Sequence, residues 1–269
     1  MKAGSINLSI LSFARKVIDE PQRLIAGAFW LFYCWFLFLS DIAPGQNALS
    51  LDPGTWFEVR DLSLNFWLVL PSLFPQSAPS LHPILEATFN LVLAWSALFF
   101  GFLLDGRRKQ SDTRNSFLPV VAGMQFLTNA FYLPYLLTRD VEKDSSPAEL
   151  PKSLSKAEVI AESKLLPLLL LGVGLICINW GLNGRAEEFG DLPTRWQSYL
   201  SLAGSDRLTF SFLVDLFYYS IFQGWLIDAD FSRRELSDSR QLSLKFVGKY
   251  IPFFGLVSYL IFRPQLLRR

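Results

Sequence analysis

The sequence predicts an all-α fold: a polytopic membrane protein, a bundle of about six transmembrane helices with an N-terminal amphipathic helix and a short re-entrant or interfacial segment. Three observations predict it. The 269 residues are 51% apolar and 15% aromatic, and only 18% are charged, against about 25% charged in a soluble domain. The apolar residues are gathered into blocks of about 20, the length at which a helix crosses roughly 30 Å of hydrocarbon. Within those blocks the few polar residues recur at helical spacing.

The elements follow in order. Residues 6–18 (INLSILSFARKVI) place Ile10, Leu11, Ala14, Val17 and Ile18 on one helical face, with Arg15, Lys16 and Asp19 elsewhere. That pattern suits a helix lying on a membrane surface, and 1–23 is assigned as this interfacial segment. Residues 24–269 are assigned as a single transmembrane domain. Its first span, 24–42, is too aromatic for a cleaved leader and is read as retained. Between 41 and 82 the only basic residue is Arg60. Within that connection LSLNFWLVLPSLFP (62–75) is too short to span and is interrupted by Pro71, so it is read as re-entrant or interfacial. Further spans are expected at 83–104, 117–137, 165–184, 208–228 and 246–262.

The net charge of +1 argues against nucleic acid, which requires a concentrated basic surface. Charge distribution is more informative. Lys and Arg resist translocation, and placing the N-terminus inside puts 14 basic residues inside against 11 outside. Both termini are therefore expected on the cytoplasmic or stromal side. The exception is 229–249, which carries Arg233, Arg234, Arg240, Lys245 and Lys249 on the expected outer side.

Cys34 and Cys177 are isolated from one another and read as buried apolar fillers. His82 is the only histidine, which excludes metal sites built from several histidines. It leaves at most one axial ligand for a pigment or haem, against the plainer reading of an interfacial histidine at a helix start. No cofactor is implied, and a pigment is the one class left open. Phosphate loops, dinucleotide fingerprints and nucleophile elbows are absent from the sequence.

Intramembrane polar residues are costly and normally face the bundle interior. Candidate site residues are Glu86 and Asn90 in the second span, Gln125 and Asn129 in the third, Asn179 in the fourth, and Asp215, Tyr219 and Gln223 in the fifth. Gln125, Thr128, Asn129 and Tyr132 share a face at i, i+3, i+4 and i+7. Ser211, Asp215, Tyr219 and Gln223 recur every four residues. The plain alternative is helix-to-helix bonding, each bond adding under about 2 kcal/mol. Asp215 is the hardest to excuse, because no span offers it a basic partner; it is read as protonated, as hydrogen-bonded to a tyrosine such as Tyr218 or Tyr219, or as part of a proton or cation site. Glu86 and Asp215 are expected toward opposite ends of the bundle.

The segments FLTNAFYLPY (126–135), EATFNLVLAWSALFFGFLLD (86–105) and DRLTFSFLVDLFYYSIFQGWLID (206–228), with LNFWLVLPSLFP and IPFFGLVSYLIFRP, resemble uncharacterised multi-pass membrane proteins of cyanobacteria and plant chloroplasts. The resemblance runs from about residue 40 onward and implies a location, a plasma or thylakoid membrane, rather than an activity. The chain's start is neither Ser-rich nor acid-poor, so a cyanobacterial source is expected over a plastid one. The function expected from short loops and missing catalytic motifs is a non-enzymatic accessory or assembly partner of a photosynthetic membrane complex. The alternatives are a small-solute, ion or proton carrier using the intramembrane carboxylates, and a membrane-embedded lipid or isoprenoid enzyme. The expected partners are the lipid bilayer and a larger membrane complex.

Overall fold

A computed structural model describes residues 21–54, 57, 80–104, 117–139, 154–232, 234 and 239–264. The expected surface helix before residue 21 and the segment 62–75 lie outside the described residues. Those described are mostly helical, without a strand, and five helices are long and apolar enough to cross a membrane.

The helices are α1 (Pro21–Cys34), prolonged by a π-helical turn over Trp35–Leu39; α2 (Pro83–Leu98), prolonged by a 3-10 turn over Phe99–Phe102; α3 (Leu118–Thr138); α4 (Lys156–Ala161); α5 (Leu165–Asn183); α6 (Ala186–Phe189); α7 (Leu192–Ala203); α8 (Arg207–Ser232); α9 (Ser239–Tyr250); and α10 (Phe254–Phe262). Helix α2 starts on His82, whose Nδ1 accepts from the Ile84 amide, with Pro83 in the first turn where its missing N–H costs nothing. Helix α4 has a capping box, Ser155 with Glu158.

Two of the expected spans are not straight rods. In α3 the backbone leaves helical geometry at Leu127 (φ −130°, ψ 33°) and Thr128 (φ 30°, ψ −110°). The chain reverses there. Phe117 stacks on Tyr135 with ring centroids 4.2 Å apart, whereas 18 residues of continuous helix would separate them by roughly 27 Å. The close approach of the two arms requires Gly123, where a methyl group would sit 2.5 Å from the Phe131 ring. The expected span 117–137 is therefore a helical hairpin with arms 118–126 and 129–138, each roughly 14 Å long.

The expected span 246–262 is corrected in the same way. Helices α9 and α10 meet at a break around Phe253, which has φ 47°, and they fold against each other. A methyl group at Gly255 would collide with the Val247 carbonyl, and one at Gly248 would lie 2.9 Å from the Tyr259 Cβ. Residues 248 and 259 could not be neighbours on one straight helix.

Arginine side chains donating to backbone carbonyls mark the two ends of the bundle. At the near end Arg23 donates to the Leu137 carbonyl at 2.9 Å, Arg139 to Trp225 at 3.1 Å, and Arg263 to Gly101 at 2.9 Å and Ala161 at 3.0 Å. At the far end Arg207 uses all five guanidinium hydrogens, on the carbonyls of Leu37, Ser40, Ala43, Pro44 and Gly45. Arg195 holds the carbonyls of Gly181, Leu182 and Gly190. At Leu137, Gly101, Ala161, Gly181 and Leu182 the acceptor is a last-turn carbonyl, so the arginine satisfies an orphan that the helix leaves at its C-terminus and complements its dipole.

Helices α1, α2, α5 and α8 thus run from end to end, while both hairpins enter from and return to the near end. Helices α2 and α8 run in the same direction, with Phe89 against Phe212 and Phe99 against Tyr219. The expectation that Glu86 and Asp215 lie toward opposite ends is corrected accordingly.

Candidate functional site

The site is built on α8, whose inward face carries Asp215, Tyr219 and Gln223, one turn apart and all buried. Each end of this stripe receives one hairpin tip.

Asp215 receives the tip of the first hairpin. Its Oδ1 accepts from Thr128 Oγ1 at 2.6 Å, Asn129 Nδ2 at 2.8 Å and Tyr33 OH at 2.9 Å. Asn129 Nδ2 also reaches the Asp215 carbonyl at 3.3 Å. Tyr33, from α1, therefore takes the partner's role expected of Tyr218 or Tyr219. Positive φ at Thr128 turns two consecutive side chains, Thr128 and Asn129, onto one oxygen. The arm 129–138 also begins here, and a helix N-terminus favours a nearby negative charge. No Lys, Arg or His pairs with Asp215 among the described residues, and its Oδ2 receives no hydrogen bond there.

The surroundings of the tip are polar and incompletely paired. Gln125 Nε2 donates to Ser96 Oγ at 2.6 Å, and Ser96 Oγ donates to the Leu93 carbonyl at 2.8 Å. Tyr219 OH and Asn129 Oδ1 are buried without a partner, although both residues are 0% exposed. Buried polar atoms in native interiors are overwhelmingly paired, so these two atoms beside one buried carboxylate make the hairpin tip the candidate binding place of the bundle.

Gln223 receives the tip of the second hairpin, and here nothing is left over. Its Nε2 donates to the carbonyls of Gly248 at 2.9 Å and Ile251 at 3.1 Å, closing the C-terminus of α9, while its Oε1 accepts from Trp95 Nε1 at 3.0 Å. The Phe253 ring seats beside Trp95 and against Gly174. Gln223 is thus the anchor of a dry joint.

The base of the second hairpin is clamped at the near end. Arg234 pairs with Asp230 at 2.8 Å and Glu162 at 3.1 Å; Arg263 pairs with Glu162 at 3.0 Å and Asp230 at 3.2 Å. Tyr259 OH donates to Asp230 Oδ2 at 2.8 Å. Two cations and two anions close a neutral square, which ties α4, α8 and α10 together.

The remaining sequence candidates lie elsewhere. Glu86 is fully buried at the far end. Its carboxylate accepts from Trp180 Nε1 at 2.7 Å and pairs with Arg185 at 3.1 Å. The basic partner comes from just beyond α5, where a reading confined to the spans could not find it. Asn90 Nδ2 turns back to the Glu86 carbonyl at 2.7 Å on its own helix. Asn179 and Asn183 bond each other at 3.0 Å on the exposed face of α5, so Asn179 is corrected to a surface residue.

His82 Nε2 lies 3.1 Å from the Arg195 carbonyl and 3.0 Å from Ser198 Oγ, and its Nδ1 holds the Ile84 amide. Burial, with the Arg195 charge adding to it, holds the His82 pKa below its ordinary value, against the pull of the Arg195 carbonyl. Both ring nitrogens are engaged, so the residue fits the capping role and offers no free ligand to a pigment. Among the described residues no group of three or more His, Cys, Asp or Glu could hold a metal ion.

The fold and the site together define the class: a helical membrane protein whose hairpins close on a buried carboxylate. No protein-family model, curated protein or solved structure matches the chain.

Proposed function

We propose that this chain is an integral membrane carrier for a small solute or ion, with the tip of the first hairpin and Asp215 as its binding centre. The observation that carries this reading is the hairpin tip itself. Broken helices at membrane depth occur where backbone is buried in protein or lines a cavity, and carriers place their binding sites at such breaks. Here the break presents Thr128 and Asn129 to a lone carboxylate, beside two unpaired buried polar atoms. An accessory partner, the function first expected from the sequence, has no need of an unpaired polar interior. The photosynthetic location rests on the resemblance alone.

The topology supports a defined orientation. With both hairpins returning to the near end, the described basic residues Arg23, Arg139, Lys156, Lys164, Arg234 and Arg263 lie toward that end. Among the described residues only Arg185, Arg195 and Arg207 fall at the far end. The basic segment 229–249, which contradicted the expected topology, now obeys the charge bias, and both termini lie on the cytoplasmic or stromal side.

The test is flux into proteoliposomes holding the purified chain, under gradients of H+, Na+ and K+ and with a panel of small organic anions and cations. Carriage by the wild type, with at least a tenfold loss in Asp215→Asn at equal abundance, is the expected result. A chain that carries none of these and leaves mild detergent only within a large complex would restore the accessory reading and overturn this one.

A further inference from the structure

We infer that the ligand bound and released at the hairpin-tip carboxylate is a proton, and that Asp215 is its binding residue in place of any metal-cation site. The inference rests on the carrier reading and names the coupling ion of the same centre.

The donor geometry carries it. Tyr33 OH, Thr128 Oγ1 and Asn129 Nδ2 all aim hydrogens at Asp215 Oδ1, so the lone pairs of that oxygen are already occupied. A hard metal ion is held by six or more oxygen atoms that turn lone pairs toward it. The fully buried oxygens left without a hydrogen bond beside Asp215 are Asn129 Oδ1 and the Tyr219 hydroxyl, and among the described residues no group of three or more His, Cys, Asp or Glu could hold a metal ion. A proton needs one lone pair, and Oδ2 supplies it.

The charge balance agrees. Other buried carboxylates of the bundle have cations: Glu86 has Arg185, and Asp230 has Arg234 and Arg263. Asp215 has only neutral donors, and an uncompensated charge in such an interior is costly. A proton cancels it without adding volume to a packed core. The step balances simply: hydronium gives its proton to Oδ2, leaving water and a neutral carboxylic acid, and release returns that proton to water and restores the carboxylate. In the acid form Oδ2 becomes a donor, and the unpaired Asn129 Oδ1 and the Tyr219 oxygen are acceptors in the same interior. The orphan atoms thus belong to the protonated state.

The test is infrared difference spectroscopy on the full chain in lipid nanodiscs, titrated with acid. The expected result is a carboxylic-acid carbonyl band that appears on lowering the pH, is lost in Asp215→Asn, and is unmoved by Na+ or K+ at fixed pH. Tyr33→Phe and Thr128→Val each remove one hydrogen bond to Oδ1, so each keeps the band at a displaced frequency. Should Asp215→Asn fail to fold, these two variants carry the assignment. The inference is overturned if no band depends on Asp215 and none responds to either donor variant, or if Na+ or K+ abolishes the band. Flux without a titrating band would sink the proton and leave the carrier standing; a titrating band without flux would do the reverse.

Discussion

At the scale of single residues, the two intramembrane carboxylates separate by what faces them. Glu86 is paired, bonded and fully buried, so it is a structural ion pair. Truncating its partner leaves a buried charge uncompensated, and Arg185→Ala is expected to destabilise the protein by about 3 kcal/mol, read as a lower unfolding midpoint in detergent. Asp215 carries only neutral partners, and Asp215→Asn is expected to leave abundance and unfolding midpoint close to wild type while abolishing flux. The same comparison at Glu86→Gln should reverse the pattern, with stability falling first. His82 gives a pH dependence. Its pKa is lowered on folding, so the unfolded state binds the extra proton. The stability that neutral His82 contributes is present above its ordinary value of 6.5 and is lost as pH falls below that toward the folded value. A thermal midpoint should therefore fall as pH is lowered through about 6.5, and His82→Asn, which keeps a capping side chain, should flatten the fall. Sequence reasoning found Asp215, Asn129, Gln125 and Tyr219 because polar groups in apolar blocks are conspicuous. It missed Tyr33 and Ser96, whose hydroxyls look ordinary until the fold brings them to the tip.

At the scale of elements, the sequence placed nearly every helix but not the breaks in two of them. The stripe Gln125–Thr128–Asn129–Tyr132 was legible as one face of a continuous helix, because a 21-residue apolar block has the length of a span. The physical fact that broke it is local: two non-helical residues at 127–128, with φ 30° on Thr128, which no periodicity argument detects. The second hairpin left a fainter trace, since 246–262 is short for a span. Both hairpins depend on glycine where their arms touch. At Gly255 a methyl group meets backbone, the Val247 carbonyl, which cannot swing aside as a side chain can. Gly255→Ala is expected to cost roughly 1–3 kcal/mol, seen as reduced abundance and a lower unfolding midpoint. Gly172, with open space around its Cα, is the control, and Gly172→Ala should leave both unchanged.

At the scale of the whole molecule, the hairpins decide the topology, and the topology can be measured. Six simple spans would place the connection between α3 and α5 opposite the N-terminus. The proposed arrangement of two hairpins and four through-going helices would place it on the same side, a difference visible at Lys156, an exposed residue of α4. Glu187, exposed in α6, lies at the far end in the present arrangement. The two native cysteines, Cys34 and Cys177, sit in the bundle and are half-buried and buried, so each can be replaced by Ala to give a cysteine-free background. In intact cells Lys156→Cys should then resist a membrane-impermeant maleimide until the membrane is opened, while Glu187→Cys should react at once. If the pattern is reversed, with Lys156→Cys reacting from outside and Glu187→Cys protected, α3 crosses the membrane, the charge bias loses its basis, and Thr128 and Asn129 cannot share one oxygen of Asp215 from a returning tip. The charge distribution therefore holds the same information as the polar stripe. The misfit of 229–249 in a six-span reading was the sequence's own sign that two of its apolar blocks turn back.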